Sequence, residues 1–340
     1  MRYIDAFCHF FPTKVWDKIM EVQPADIGKR MRGIPCIFDL DERKKCVDLF
    51  RTKHNYSQVI SLGMPPLESM GAPALVEDLA KMANDGQAEL VAKNPDYFVG
   101  FLASLPMNSP NAAKELERAV KIGANGVQLH TNINGDPLDD PKYFAVFEMA
   151  AKLDCPIFLH PSRGAFDLSD YKNETKSKYE IWWTFGWPYE TSAAMARLVF
   201  SGMMDKLPNL KVLAHHLGAM VPFFEGRVGP GWDQLGKRTS DEDYITLLAN
   251  MKKRPLEYFK NDFYVDTAVF GSTAATKCGF EFYPKEKILF ASDCPFDPER
   301  GPGYIRETIA IMESLNMPKN EMEMICHNNA EKLFKIKAQA

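Results

Sequence analysis

The chain has 340 residues, 46% of them hydrophobic and 25% charged, with a formal net charge of −4. This length and composition suit one large domain with a substantial core and exclude a chain too polar to fold, and the mildly acidic balance excludes nucleic acid as a partner. No apolar run of about 18 residues marks a membrane span. Arg2 and Asp5 interrupt the N-terminus where a secretory leader would be apolar, and seven scattered cysteines with no CxxC pair read as reduced thiols in a cytoplasm.

The first apolar run, residues 3–10 (YIDAFCHF), reads as a strand with His9 near its end. Residues 22–56 begin polar and broken, then show a helical pattern over 39–53, and read as an insertion after that strand. Apolar runs at 57–63, 97–104, 126–131, 156–161, 210–216, 262–269 and 287–293 supply seven more strands. Apolar residues three and four apart predict helices over 73–95, 109–123, 143–154, 190–208 and 301–316, two of which open on Ser109-Pro110 and Gly301-Pro302. Strands alternating with helices imply parallel βα units, and eight such strands close a (β/α)8 TIM barrel. A doubly wound open sheet would want a glycine-rich turn after its first strand, and HFFPTKVW has none. The expected organisation is therefore α/β, one barrel domain over 1–340, with the 22–56 segment and its helix over the barrel mouth.

Chemistry in such a barrel sits at the C-terminal ends of the strands. Five of the seven histidines fall there: His9, His130, His160, His215 and His216, joined by Asp293 after ILFAS. Any one of them alone would read as a core histidine, but five at matching positions beside a carboxylate read as a cation site. Imidazoles with a carboxylate suit Zn²⁺, Mn²⁺ or Fe²⁺, and the lack of thiolate pairs points to an open catalytic site rather than a closed structural zinc.

On the stretches IDAFCHFFP, GANGVQLHTNINGDPLDDPKYFAVFEMAAKLDCPIFLHP, GWPYETSAAMARLVFSGMMDKLPNLKVLAHHLGAMVPFFEGR and ILFASDCPF, the chain resembles the amidohydrolase superfamily. Within it, the chain looks like the metal-dependent decarboxylase branch of aminocarboxymuconate semialdehyde and γ-resorcylate decarboxylases. The resemblance implies one divalent ion, Zn²⁺ before Mn²⁺, held by His9, His160 and Asp293. The family's first strand carries a second ligand two residues before His9, where this chain has Phe7. That departure implies a weakly held ion or none. Counting back from Pro222 and Arg227 makes His216 the family's acid or base, with Asp293 as the other candidate, and leaves His215 facing the helices or a strand–helix hydrogen bond.

These residues imply nonoxidative decarboxylation of a small aromatic or conjugated carboxylic acid. Arg163 reads as a bidentate grip on a carboxylate or as a rim ion pair. Trp183 and Trp187, with Trp182 and Phe185, read as walls for a planar ring or as an interface. Phe7 adds apolar surface, and His130 and Asn132 read as pocket residues, with a turn as the plainer role for Asn132. Asp266 reads as an orienting partner or a turn cap, Cys294 as core, and Arg227 as a residue near a homodimer interface. Three alternatives stay open: hydrolysis of a lactone, amide or ester by metal-bound hydroxide, hydration of a conjugated acid, and a metal-free or non-catalytic member, motivated by Phe7.

Overall fold

Parallel strands buried on both faces need near-continuous apolar runs, and the eight runs form such a sheet. The strands are β1 (Arg2–His9), β2 (Asn55–Ser61), β3 (Phe98–Ala103), β4 (Gly126–His130), β5 (Ile157–His160), β6 (Val212–Ala214), β7 (Phe263–Asp266) and β8 (Ile288–Leu289). They lie side by side in chain order, every ladder parallel. Backbone bonds from Ala6 N to Phe290 O (2.9 Å) and from His9 N to Cys294 O (2.8 Å) join β1 to the segment after β8 and close the barrel. The computed structural model describes residues 1–22, 30–238 and 242–336.

The main helices are α1 (Thr13–Val22), α2 (Leu40–Arg51), α3 (Pro73–Lys93), α4 (Ala112–Lys121), α5 (Phe144–Leu153), α6 (Gly186–Phe200), α7 (Pro255–Asn261), α8 (Thr273–Phe282), α9 (Pro302–Ser314) and α10 (Asn329–Phe334). The Asp39 side chain caps α2 by accepting from Asp41 N (2.9 Å) and Glu42 N (3.1 Å). Of the expected 22–56 insertion, residues 23–29 lie outside the described residues. Its later part is a short turn, Pro35–Ile37, and α2, which packs against β2 and α9.

Three boundaries differ from expectation. The helix expected over 190–208 stops at Phe200, because Gly202 adopts φ 74° and starts a separate turn, Met203–Lys206. The strand expected over 210–216 ends at Ala214. The last strand's ladder with β7 ends at Leu289, and Phe290 N donates to Ile325 O.

Two apolar cores result. One lies between strands and helices. The other fills the barrel with alternate strand residues, among them Ile4, Ala6, Phe7, Val59, Leu102, Phe158 and Leu213, and is completed by Leu333 and Phe334 of α10. Phe334 stacks on Phe158 (6.1 Å between centroids) and Phe158 on Phe7 (4.5 Å), a column of rings rising toward the C-terminal strand ends.

Candidate active site

Strand ends deliver the polar side chains at the top of this column. His9 ends β1, His130 and His160 end the register-matched β4 and β5, Asp266 ends β7, and Asp293 follows β8. Asp293 itself adopts φ 63°, and such strain in a non-glycine residue concentrates at functional sites. Its carboxylate bonds His9 Nε2 at 3.0 Å and lies 3.6 Å from both His215 Nε2 and His216 Nε2. Burial alone would raise the Asp293 pKa, but the imidazoles of His215, His216 and His9 around it hold it well below the usual carboxylate range.

His9 Nδ1 meets Leu62 O at 2.9 Å and His160 Nδ1 meets Pro161 O at 2.7 Å, so both rings present Nε2 to the centre. The His160 centroid is 5.3 Å from that of His9 and 5.8 Å from that of His215. Burial and the neighbouring His9, His130 and His215 lower the His160 pKa far below its ordinary value, leaving a neutral ring able to bind a cation.

His215 corrects an expectation. Rather than facing the helices, it is fully buried, its Nδ1 is hydrogen-bonded to Asp266, and its ring packs 4.1 Å from Phe7. The strand stops at Ala214, so alternation no longer separates the two histidines. His216 (φ 57°) and Leu217 (φ 56°) turn left-handed, and His216 N donates to Asp266 Oδ1 at 3.1 Å. Burial opposes a charge on His215, yet Asp266 and Asp293 raise its pKa to about 9; burial and His215 lower that of His216. His216 sits further out, its ring 5.1 Å from Phe270.

Donor atoms of His215, His216 and Asp293 all lie within 4.8 Å of one another. That trio differs from the expected His9, His160 and Asp293, although His9 is bonded to the same carboxylate. Four imidazoles and one carboxylate thus converge. The buried His215 Nε2 and His216 Nε2 have no hydrogen-bond partner, which fits a site built for a divalent cation. Phe7 supplies the floor: its centroid is 4.7 Å from His9, 4.1 Å from His215 and 5.8 Å from His160.

Of the remaining expected residues, Trp187 packs its ring 5.8 Å from His160 and donates to Arg163 O at 3.0 Å. Trp183 stands one ring farther out, 6.5 Å from Trp187. Arg163 Nη1 lies 3.8 Å from Glu190 Oε1, and its buried Nε has no partner. Asn132 serves the loop, donating to Ser162 O at 2.7 Å and accepting from Gly135 N at 2.9 Å. Arg227 is exposed over Phe224 (5.8 Å) and makes no bond to the imidazoles.

Glu68 was not expected. It is buried in the irregular segment after β2, with Oε1 3.7 Å from His130 Nδ1. Glu68 Oε1, His130 Nε2 and Gln128 Oε1 have no hydrogen-bond partners and line a cavity of about 10 Å³. No periodic pattern in the sequence marks this loop; only its acidic residue amid MPPLESM was a signal.

Sequence comparison adds named relatives. The chain is 33% identical over 235 residues to 2-amino-3-carboxymuconate-6-semialdehyde decarboxylase of Dictyostelium discoideum, covering 68% of this chain and 61% of that relative's length. It is 29% identical to γ-resorcylate decarboxylase of Polaromonas sp., covering 88% of this chain and 89% of the relative. A dihydroxybenzoic acid decarboxylase from Polaromonas sp. JS666, solved with bound manganese and the inhibitor 2-nitroresorcinol, superposes with a TM-score of 0.76 at 24% identity, covering 99% of this chain and 98% of that one. All three are named decarboxylases, and the solved one shares this fold. Residues 4–336 match the amidohydrolase family model, and the chain belongs to that family.

Proposed function

We propose that the protein is a metal-dependent carboxy-lyase that decarboxylates a small aromatic or conjugated carboxylic acid. The observation that carries this reading is the convergence of His9, His160, His215 and Asp293 above an aromatic floor, in a chain whose relatives are named decarboxylases. His9, His160 and Asp293 would hold a divalent ion, Zn²⁺ or Mn²⁺. Such an ion supplies Lewis acidity toward an oxygen next to the substrate carboxylate.

The chain's own residues do the rest. Loss of CO₂ requires a proton on the carbon that carries the carboxylate. His215 is placed to deliver it: Asp266 fixes its Nδ1 side and directs Nε2 toward Asp293. Its raised pKa keeps a proton available at neutral pH. Phe7 and Trp187 present apolar faces that suit a planar substrate and exclude water. Arg163, held beside Glu190, is the candidate grip for a carboxylate.

The test uses the full chain, chelator-stripped and then reloaded with Mn²⁺ or Zn²⁺, on a panel of hydroxylated benzoates and conjugated unsaturated acids. The expected result is CO₂ release that disappears on stripping and returns on reloading. Acid release from lactones or esters without CO₂ would replace this reading with the hydrolase. Undiminished activity in the stripped protein would overturn both.

We further propose a homodimer, on the exposed aromatic side chains Tyr179, Phe185, Tyr189 and Phe223. The seven cysteines, none of them bridged, support work in a reducing compartment such as the cytoplasm.

A further inference from the structure

Arg43 on α2 is fully buried, and buried arginines are almost always paired with an acid. Among the described residues this one has no carboxylate partner. Its guanidinium donates to Cys36 O (2.8 Å), to Gln58 Oε1 (3.2 Å), to His9 O and to Cys294 Sγ (3.0 Å). Sulfur can supply a counter-charge, and three sulfurs are present. Cys36 in the Pro35–Ile37 turn, Cys46 on α2 and Cys294 after β8 bring their Sγ atoms within 4.8 Å of one another. All three are buried.

We propose that Cys36, Cys46 and Cys294 form a second metal site, distinct from the imidazole cluster, that takes a soft divalent cation such as Zn²⁺ or Cd²⁺ through three thiolates. Soft thiolates select such ions over Mg²⁺ or Ca²⁺. Charge decides the valence. Three thiolates, one divalent ion and the Arg43 guanidinium are neutral together, as a buried pocket demands, whereas a monovalent ion leaves a net negative charge. Without metal, one thiolate suffices to balance Arg43. Metal binding then releases the two remaining thiol protons to solvent.

Local packing agrees. A Cβ on Gly301 would come within 3.0 Å of Cys46 Sγ and 3.1 Å of Cys36 Sγ, so a residue without a side chain leaves the sulfurs room. The site also touches the catalytic side. Arg43 donates to the main-chain oxygen of His9, and Cys294 directly follows Asp293. An ion here would tie the ends of β1 and β8 to α2.

The experiment titrates CoCl₂ into the reduced, chelator-stripped full chain without oxygen. A sulfur-to-cobalt charge-transfer band in the near ultraviolet is expected, which imidazole and carboxylate ligands do not produce. It should vanish in Cys46→Ser while the weak visible bands of the imidazole site persist. Should that variant fail to fold, the wild-type chain loaded with CdCl₂ answers the same question by cadmium NMR, with a resonance in the thiolate region as the expected result. Absence of the charge-transfer band, its survival in Cys46→Ser, or a cadmium resonance only in the nitrogen–oxygen region would overturn the proposal. None of these outcomes depends on the decarboxylase reading.

Discussion

His215 and His216 are neighbours in the chain and reach the same carboxylate, each 3.6 Å away, but their surroundings differ. His215 has a buried carboxylate on its far nitrogen; His216 has an aromatic neighbour, Phe270, toward the rim. A proton carrier needs a fixed tautomer and a tuned pKa, and only His215 has both supports. Replacing His215 by Asn is expected to lower kcat by roughly 10²–10⁴-fold, and His216→Asn by far less, both measured on the metal-loaded enzyme. Equal losses would assign the role to the pair. This distinction was hidden in the sequence. HH after an apolar run is ambiguous by one residue, and only the strand's end at Ala214 with the left-handed turn at His216 settles which ring faces inward. His9, His160 and Asp293 were legible because each ends or follows a long apolar run. Glu68 and the Cys36–Cys46–Cys294 cluster were not, because contacts between distant loops leave no local pattern.

The turn after β6 is the element on which this arrangement depends. His216, Leu217, Gly218 and Ala219 all have positive φ, a run that side chains other than glycine disfavour by roughly 1–2 kcal/mol each. Packing holds it in place. Asp266 Oδ1 accepts from His216 N (3.1 Å) and Ala268 N (2.9 Å), and a Cβ on Gly218 would collide with the Tyr283 hydroxyl. Gly218→Ala is therefore expected to cost about 1–2 kcal/mol in urea unfolding from the backbone alone, more with the collision. Activity should fall further than stability, because the turn that places both histidines must shift. A variant with full activity and lowered stability would show that the turn tolerates movement. Helix positions were easier to read than this turn: Asp39 before an apolar-periodic stretch announces the start of α2, whereas nothing in HHLGA announces four left-handed residues.

At the scale of the whole molecule, the barrel was legible from eight apolar runs, because parallel strands hide both faces and leave little alternation to confuse the count. What the runs did not reveal was the barrel's interior filling, where Phe7 takes a ligand's place and joins the Phe158–Phe334 column. The exposed aromatics near the mouth, Tyr179 at 90% and Phe223 at 78% exposure, are large for a surface that meets only water. Sedimentation is expected to give twice the chain mass, and Phe223→Ser to shift the equilibrium toward the monomer. A wild-type chain that sediments at its single mass would remove the dimer proposal.

The bond between His9 and Asp293 spans 284 positions, and Phe334 of α10 completes the ring column under Phe7. A ribosome makes these partners far apart in time. While translation proceeds, the first strand waits with one edge unpaired and its inward phenylalanine uncovered, an invitation to aggregation or to a chaperone. The nascent protein thus acquires its catalytic centre only once Asp293 and α10 have followed the first strand out, in a single event rather than piece by piece.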